Sequence, residues 1–549
     1  MTGIIFFKRK ICSICSMKYK NALLILSLFI HTILLGQDFP FEVKLDSITI
    51  PGLGGLQSFS VGQHNGKWLV IGGRLDGLHR RQPWASFDST GHNNRIMVVD
   101  PIKKEVWKAP LDNLPVTLRE QLSSTNMEFL QRGNLLYLAG GYGYSPTLKD
   151  HITHPFLTII DIPSVIDAVL NDKDPSVGFN QIKDERMAVT GGQLVSVNGI
   201  FFMVGGHRFD GKYNPMNNPT FVQTYTSAIR KFTVEEEGTG YKLVFHGEIT
   251  DEKHLRRRDF NVLPQILPNG EQGLIAFSGV FQKDRDLPYL NAVEIDADSF
   301  HVIPSFAQYY NHYHCANLSL YSSKDHRMHN LFFGGIAHYY DSAGYLVQDN
   351  DVPFVKTIAR VTRAANGWLQ EYKLPNEMPG YFGAASEFIP AAGLPAYDNE
   401  AVKLDDLKED TVLLGYVYGG IRSSAANIFW VNTGVESIAS PVIYPVYLIK
   451  NPFSGITLNE QSINALQLQI YPNPLEGEVT IAFTMPADGD ATVVIKDLMG
   501  VSIHEKTLKK IKKGECLKDI RFRDLKRGDI YYLHLTVNGK TVSQKMIVN

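Results

Sequence analysis

The chain has 549 residues, with 54 Lys and Arg against 56 Asp and Glu, and is 44% hydrophobic and 20% charged. That composition belongs to a folded globular protein, and the length exceeds one ordinary compact domain. A formal net charge of -2 without a basic stripe excludes a nucleic-acid binder that works by neutralising phosphates.

The first segment reads as an export signal. In "MKYKNALLILSLFIHTILLGQ" two lysines precede a 14-residue apolar core, Ala22 to Leu35, and a small residue follows at Gly36. Crossing a bilayer takes about 20 apolar residues, so this core is too short to span one. Residues 1–36 are therefore expected to be a signal peptide, and Met17 is an alternative start that would make the Cys12–Cys15 pair irrelevant. No later segment is apolar enough for a bilayer, so no transmembrane segment is expected after cleavage. Cys315 and Cys516 then remain, in different predicted domains, and no disulfide is expected between them.

Over residues 37–451 one pattern recurs, a hydrophobic run ending in a glycine pair. It is seen in "KWLVIGGRLDG", "LLYLAGGYGYS", "IFFMVGGHRFDG", "GLIAFSGVFQKD", "HNLFFGGIAHYYD" and "VLLGYVYGGIRSS", with second glycines at Gly73, Gly141, Gly206, Gly279, Gly335 and Gly420. Six copies of an all-β unit imply a propeller or array. In the first copy "GLQSFSVGQ", "KWLVIGG" and "NRIMVVDPIKKEVWKAP" predict four strands, with Trp107 packed on the sheet face. Glycine pairs that end a strand allow backbones to approach closely. These features resemble the kelch repeat. Trp368 keeps the later tryptophan, and Ser278-Gly279 stands for the pair in the fourth copy. The resemblance implies an all-β protein with a six-bladed kelch-like β-propeller. Its ring would close by pairing "FEVKLDSITI" with "SPVIYPVYLIK", which hides an exposed edge.

Residues 452–464 are polar and turn-rich and read as a linker. From residue 465 to 549, alternating strands with glycine turns predict a small Ig-like β-sandwich, and the basic run "KTLKKIKKGE" reads as a solvated strand-turn face. Tyr471-Pro472-Asn473-Pro474, "IKDLMGVSI", "GDIYYLHL" and the closing Lys545-Met546-Ile547-Val548 resemble the type A C-terminal sorting domain of the type IX secretion system. The resemblance implies the type IX secretion machinery as a partner. It also implies a secreted protein, or one on the outer cell surface of a Gram-negative bacterium.

In a propeller the innermost strand of each blade runs along the axis and the second returns. The start of the first strand and the loop after the second therefore share one face. That topology gathers Asn126, Glu128, Arg257, Arg258, Asp259, Asn261, His312, His314 and Glu387 with the post-glycine residues Arg74, Tyr142, His207, Arg208, His338, Tyr339, Tyr340 and Arg422. Two post-glycine loops, "RLDGLHRRQPWASFDSTGHNN" and "HRFDGKYNPMNNPTFVQTYT", are long, as binding loops on a rigid scaffold often are. The expected ligand-binding set is Arg74, Tyr142, His207, Arg208, Arg257, Arg258, Asp259, His312, His314, His338 and Arg422.

Within "QYYNHYHCANLSLY", His312 and His314 share one side of an extended segment and are the candidates should a metal be bound, with His207 and His338 as further ligands. Imidazoles at a channel mouth more often bond neighbouring backbone, so no metal and no cofactor is expected. The galactose oxidase family has related repeats and uses histidines, tyrosines and a cysteine. It spreads them over distant blades, and no motif transfers to the residues around Cys315. A second resemblance is to the sialic-acid mutarotase-like kelch proteins. It implies Arg257 and Arg258 on a carboxylate and Asp259, Glu128 or Glu387 moving a proton. The plain alternative is salt bridges between adjacent inner strands. No Ser-His-Asp elbow, phosphate-cradling loop or zincin helix is found. Non-catalytic binding of a glycan or protein is thus the expected role. A carbohydrate-active enzyme, epimerase- or mutarotase-like before oxidase-like, is the competing class, and a surface structural protein without a small-molecule site is the third.

Overall fold

The structure is a computed structural model that describes residues 41–450 except 215, 217–219 and 343–344. From 462 onward it describes all but 464–465, 467, 472–477, 497–501, 522–524, 526–529, 539 and 549. The expected signal peptide, most of the linker, and Pro472, Asn473 and Pro474 lie outside the described residues.

Residues 41–450 build six large sheets, each containing an antiparallel path of four strands, besides two two-stranded hairpins. The first sheet is Ser60–His64, Lys67–Ile71, Arg95–Asp100 and Glu105–Pro110, in that order. The next four start from the inner strands Thr125–Arg132, Gln193–Val197, Asn261–Ile266 and Asn317–Ser322 and add strands outward in chain order. The sixth runs Tyr381–Pro390, Thr411–Ser423, Ile443–Lys450, and takes Phe41–Leu45 as its fourth strand. Val43 pairs with Leu448 in that last ladder, so the expected pairing of "FEVKL" with the end of the repeats is observed.

The second strands carry long apolar runs because both faces are covered. Alternate side chains of a strand point to opposite faces. Trp68 and Val70 therefore pack with Tyr416 and Tyr418 of the sixth sheet, while Leu69 and Ile71 pack with Leu136 and Leu138 of the second. Trp107 is half-buried against that second core, whereas Trp368 is 49% exposed.

The glycine pairs are where one sheet meets the next. Gly140 has φ 65°, and a Cβ there would lie 1.8 Å from the Val189 carbonyl oxygen. At Gly419 it would lie 2.3 Å from that of Leu56, so any side chain would push neighbouring sheets apart. The second glycine's N–H then donates across the junction, from Gly73 to Ser124, Gly141 to Val189, Gly206 to Arg257 and Gly420 to Leu56, at 2.7–2.9 Å. In the fourth sheet Ser278 donates to the His312 carbonyl at 3.0 Å through its hydroxyl, which explains a serine in the pair. The inner-strand starts are linked as well. Ser58, Asn126, Asp259, His314 and Ala385 donate through their N–H groups to the carbonyls of Ala385, Ser58, Gly191, Asp259 and His314, and the Thr190 hydroxyl donates to Asn126. These bonds of 2.6–3.1 Å return to the residue they began from.

The tail has a core of its own. Strands Glu478–Met485 and Gly514–Arg521 on one sheet and Gly489–Lys496, Ile530–Val537 and Lys540–Ile547 on another enclose Val479, Ile481, Val493, Leu533 and Leu535. In the basic run, Leu508 and Ile511 are buried while Lys506, Lys509, Lys510, Lys512 and Lys513 are exposed. Cys315 and Cys516 are both buried free thiols.

Candidate functional site

The residue after each second glycine sits beside an inner-strand start. Arg74 pairs with Gln57, Tyr142 with Thr125, His207 with Thr190, Val280 with Arg258 and Ile421 with Ala384. These bridges put the post-glycine residues next to the strand starts, and the predicted residues there fall into two sets.

One set lines a cavity of about 570 Å³ that runs the length of the inner strands. Its polar end holds Asn126, Glu128, Gln193, Asp259, His314 and Glu387, and its other end is rimmed by the exposed turn residues Asn65, Gly133 and Gly393. His314 Nε2 lies 2.8 Å from Glu387 Oε1, and its Nδ1 is 3.1 Å from Gln193 Nε2. Glu128 accepts from the Gly192 N–H at 2.8 Å. Asp259 is ion-paired to Arg258 at 2.7 Å and receives a long contact of 3.5 Å from Asn126 Nδ2. Arg258 also donates to the Tyr225 hydroxyl of the preceding repeat at 3.0 Å, and its ion pair is with the adjacent Asp259 and not with a carboxylate of the next sheet.

The other set is engaged in holding the fold. Arg257 is 1% exposed and donates to the carbonyls of His254, Ser278 and Asn291 at 2.5–3.1 Å. It does not line the cavity although Asp259, two residues on, does: the Arg257 guanidinium is turned to those carbonyls, and Asp259 is in the left-handed region with φ 50°, so the segment is not regularly extended. The expected carboxylate clamp of Arg257 with Arg258 is thus not formed. Arg74 is buried in a two-bond pair with Asp76 at 2.7 and 2.5 Å. Tyr142 donates to the Gly211 carbonyl at 2.8 Å, and His207 Nδ1 is 2.7 Å from Gln223 Nε2. Arg208 is exposed and paired with Asp210 and Glu185, and Arg422 is exposed over the Phe382 ring. Asn261 accepts from the Cys315 N–H at 3.1 Å, away from the cavity.

The question raised by "YYNHYHC" has a geometric answer. His312 is fully buried, with Nε2 2.8 Å from the Gln308 carbonyl and Nδ1 accepting the His338 N–H at 2.8 Å. His338 places its Nε2 2.8 Å from Asn350 Oδ1. Of His312, His314 and His338, it is His314 that lines the cavity, together with the neighbouring Tyr313. The chain bends at Tyr313 and is not a strand from 312 to 314, so the simple alternation does not hold and His312 and His314 do not converge. No group of three metal-ligating side chains is found among the described residues.

Burial, aided by the nearby Asp259 and Glu387 charges, pushes the Glu128 carboxyl up to about 8 against the pull of the Gly192 N–H. Burial opposes charge on His314, yet Glu387, then Asp259 and Glu128, hold its imidazole above the ordinary value. Near neutral pH the cavity therefore presents a protonated Glu128 beside an imidazole–carboxylate pair. A carboxyl with a raised folded pKa favours the native state below its unfolded value and loses that contribution as pH rises through the folded one. Between pH 5 and 8 the wild type should lose on the order of 3 kcal/mol more stability than Glu128→Gln, which keeps the acceptor for Gly192. Urea titrations at both pH values check this, and equal losses would mean that Glu128 is ionised throughout.

Gln193 was not among the expected residues. It stands two after Gly191, as Glu128 stands two after Asn126 and Glu387 two after Ala385. Aligning the copies on the inner-strand start would have found it.

Residues 469–549 match the family described as "Secretion system C-terminal sorting domain". The tail is a type IX sorting domain. The sorting domain marks the chain for handling by that machinery and for delivery to the cell surface or beyond. Within it, Tyr471 ends the strand Gln469–Tyr471, opposite Thr480, and Lys545 lies opposite Tyr532. None of the curated proteins matches the chain. Among solved structures, that of YjhT is 9% identical, covering 71% of this chain and 95% of its own, with a TM-score of 0.39. An exo-1,5-alpha-L-arabinanase from a bovine ruminal metagenomic library is 8% identical, with 73% and 95% covered and a TM-score of 0.25. Dimeric latent PorU from Porphyromonas gingivalis is 11% identical, with 70% and 36% covered and a TM-score of 0.16. None of these likenesses is close enough to carry a fold or an activity across.

Proposed function

We propose that the chain is an exported six-bladed kelch-like β-propeller over residues 37–451, joined to an Ig-like sorting domain over 465–549, and that its axial cavity binds a saccharide unit. The propeller reading is supported by the circuit of bonds linking six inner-strand starts and by the N-terminal strand completing the sixth sheet. The observation that carries the function is the convergence of Asn126, Glu128, Gln193, Asp259, His314 and Glu387 on one cavity. Such a set offers donors and acceptors to several hydroxyls at once. A cavity of about 570 Å³ suits one small ligand and not a folded partner.

A second reading, a carbohydrate-active enzyme of the epimerase or mutarotase kind, is favoured by the His314–Glu387 pair opposite a protonated Glu128. Interconverting anomers takes a base for the hydroxyl proton and an acid for the ring oxygen, and both are at hand. A glycan array with the full chain tests binding. Glu387→Gln and Gln193→Ala should each weaken the captured sugar about tenfold or more. Unchanged affinity in both, or no sugar captured, removes the cavity reading. The anomer exchange rate of the bound sugar by NMR separates the two. A rate unaltered by the protein leaves a binder, and an acceleration that Glu387→Gln abolishes makes it an enzyme.

A further inference from the structure

We propose that the loops following the first and sixth glycine pairs, residues 74–94 and 422–442, form a platform for an acidic polysaccharide. Its sugar rings would lie on Trp84 and Trp430 and its anionic groups on Arg80 and Arg81. This surface is apart from the axial cavity and does not depend on what the cavity binds.

The indoles are displayed, not buried. Trp84 is 76% exposed and Trp430 66% exposed, which is unusual for the largest apolar side chain and marks an interaction surface. The backbone beneath them is nevertheless fixed. Asn432 Nδ2 donates to the carbonyls of Leu78 and His79 at 2.9 and 2.8 Å, and the Leu78 N–H donates to Ser437 Oγ at 2.9 Å. The Trp84 carbonyl accepts from Lys212 Nζ at 2.7 Å, tying in the third sheet's loop. His79 packs on Phe87 and Tyr213 underneath, with ring centroids 5.6 and 4.8 Å away. A platform held this way loses little freedom when a ligand arrives.

The charges are arranged to match. The Arg81 guanidinium lies 4.7 Å over the Trp430 ring and donates to the Trp430 carbonyl at 3.2 Å. It covers one face of that indole and leaves the other for a sugar ring. Arg80 lies along Gly434, where a Cβ would come 2.4 Å from its Nε. Neither arginine makes a salt bridge among the described residues, whereas Arg74, Arg208 and Arg258 at the same end each have a carboxylate. Two guanidiniums without a carboxylate among the described residues, beside two exposed indoles, fit a chain with sugar faces and carboxylate or sulfate groups. The sorting domain carries this face outside the cell, where such polymers are met.

Affinity electrophoresis of the full chain through gels containing polygalacturonate, chondroitin sulfate or neutral dextran tests the proposal. Retardation by at least one acidic polymer and not by dextran is expected, weakening as salt is raised. Trp84→Ala with Trp430→Ala, and separately Arg80→Gln with Arg81→Gln, should each cut the affinity about tenfold or more, with the melting temperature unchanged. If a double variant melts early, its two single variants carry the comparison. No retardation by either acidic polymer would overturn the platform, as would equal retardation by dextran. So would retardation that neither pair of substitutions reduces, or that only the arginine pair reduces, since bulk charge then suffices.

Discussion

A chain ending at residue 464 is expected to accumulate in the periplasm, whereas the full chain reaches the cell surface or the medium. The physical ground is that the sorting domain has a core of its own and meets the upstream residues through a small contact, where Gln544 donates to Gln348 at 2.7 Å. Its core draws only on residues from Leu466 to Val548, and no other hydrophobic core of the described residues includes anything beyond Leu448. Removing it should leave the upstream sheets and their melting behaviour intact, so that loss of export is not loss of folding. The converse follows. Residues 465–549 joined to an unrelated periplasmic protein should direct it outward. Fractionation and protease accessibility of intact cells measure both. Surface delivery of the truncated chain would show that the address lies elsewhere.

The second large effect is at the junction of the chain's beginning with its last repeat. Val43 is 2% exposed, packs in the core shared by the fifth and sixth sheets, and pairs with Leu448. Val43→Asp places a carboxylate in that apolar core, and should cost about 4 kcal/mol or more. Val43→Ala, which removes only methyl groups, should cost about 1–3 kcal/mol. The aspartate variant should melt well below the alanine variant and be cut early by protease near residues 443–450, whose edge Phe41–Leu45 otherwise covers. A midpoint equal to that of the wild type would mean that the sixth sheet is complete without its N-terminal strand.

The relation between what the repeats say and what the site does is instructive at particular residues. The glycine pairs were legible because a backbone that must pass within contact of a neighbouring carbonyl tolerates no Cβ, and that demand recurs wherever sheets meet. The same is true of the period-two alternation in "KWLVIGG", which separates Trp68 and Val70 from Leu69 and Ile71 before any coordinates are known. The tail was legible for a different reason. Its turn and terminal motifs occur together over one short stretch.

The site was legible only in part. Glu128, Asp259, His314 and Glu387 were placed at inner-strand starts and do converge. Arg257 and His312 were placed with them on equal terms, yet turn inward to bond carbonyls and a backbone N–H. Sequence by itself determined the repeated β unit, the junction glycines and the export address, because each is set by local backbone demands or contiguous motifs, and it pointed to the pairing of the first strand with the last because an open edge needs a cover. The tertiary structure alone decided which polar residues face the cavity, which arginines keep a free guanidinium, and that the carboxyl of Glu128 is held protonated. Those depend on left-handed residues at the strand starts, on loops from distant repeats locking together, and on burial, and none of these leaves a periodic trace along the chain.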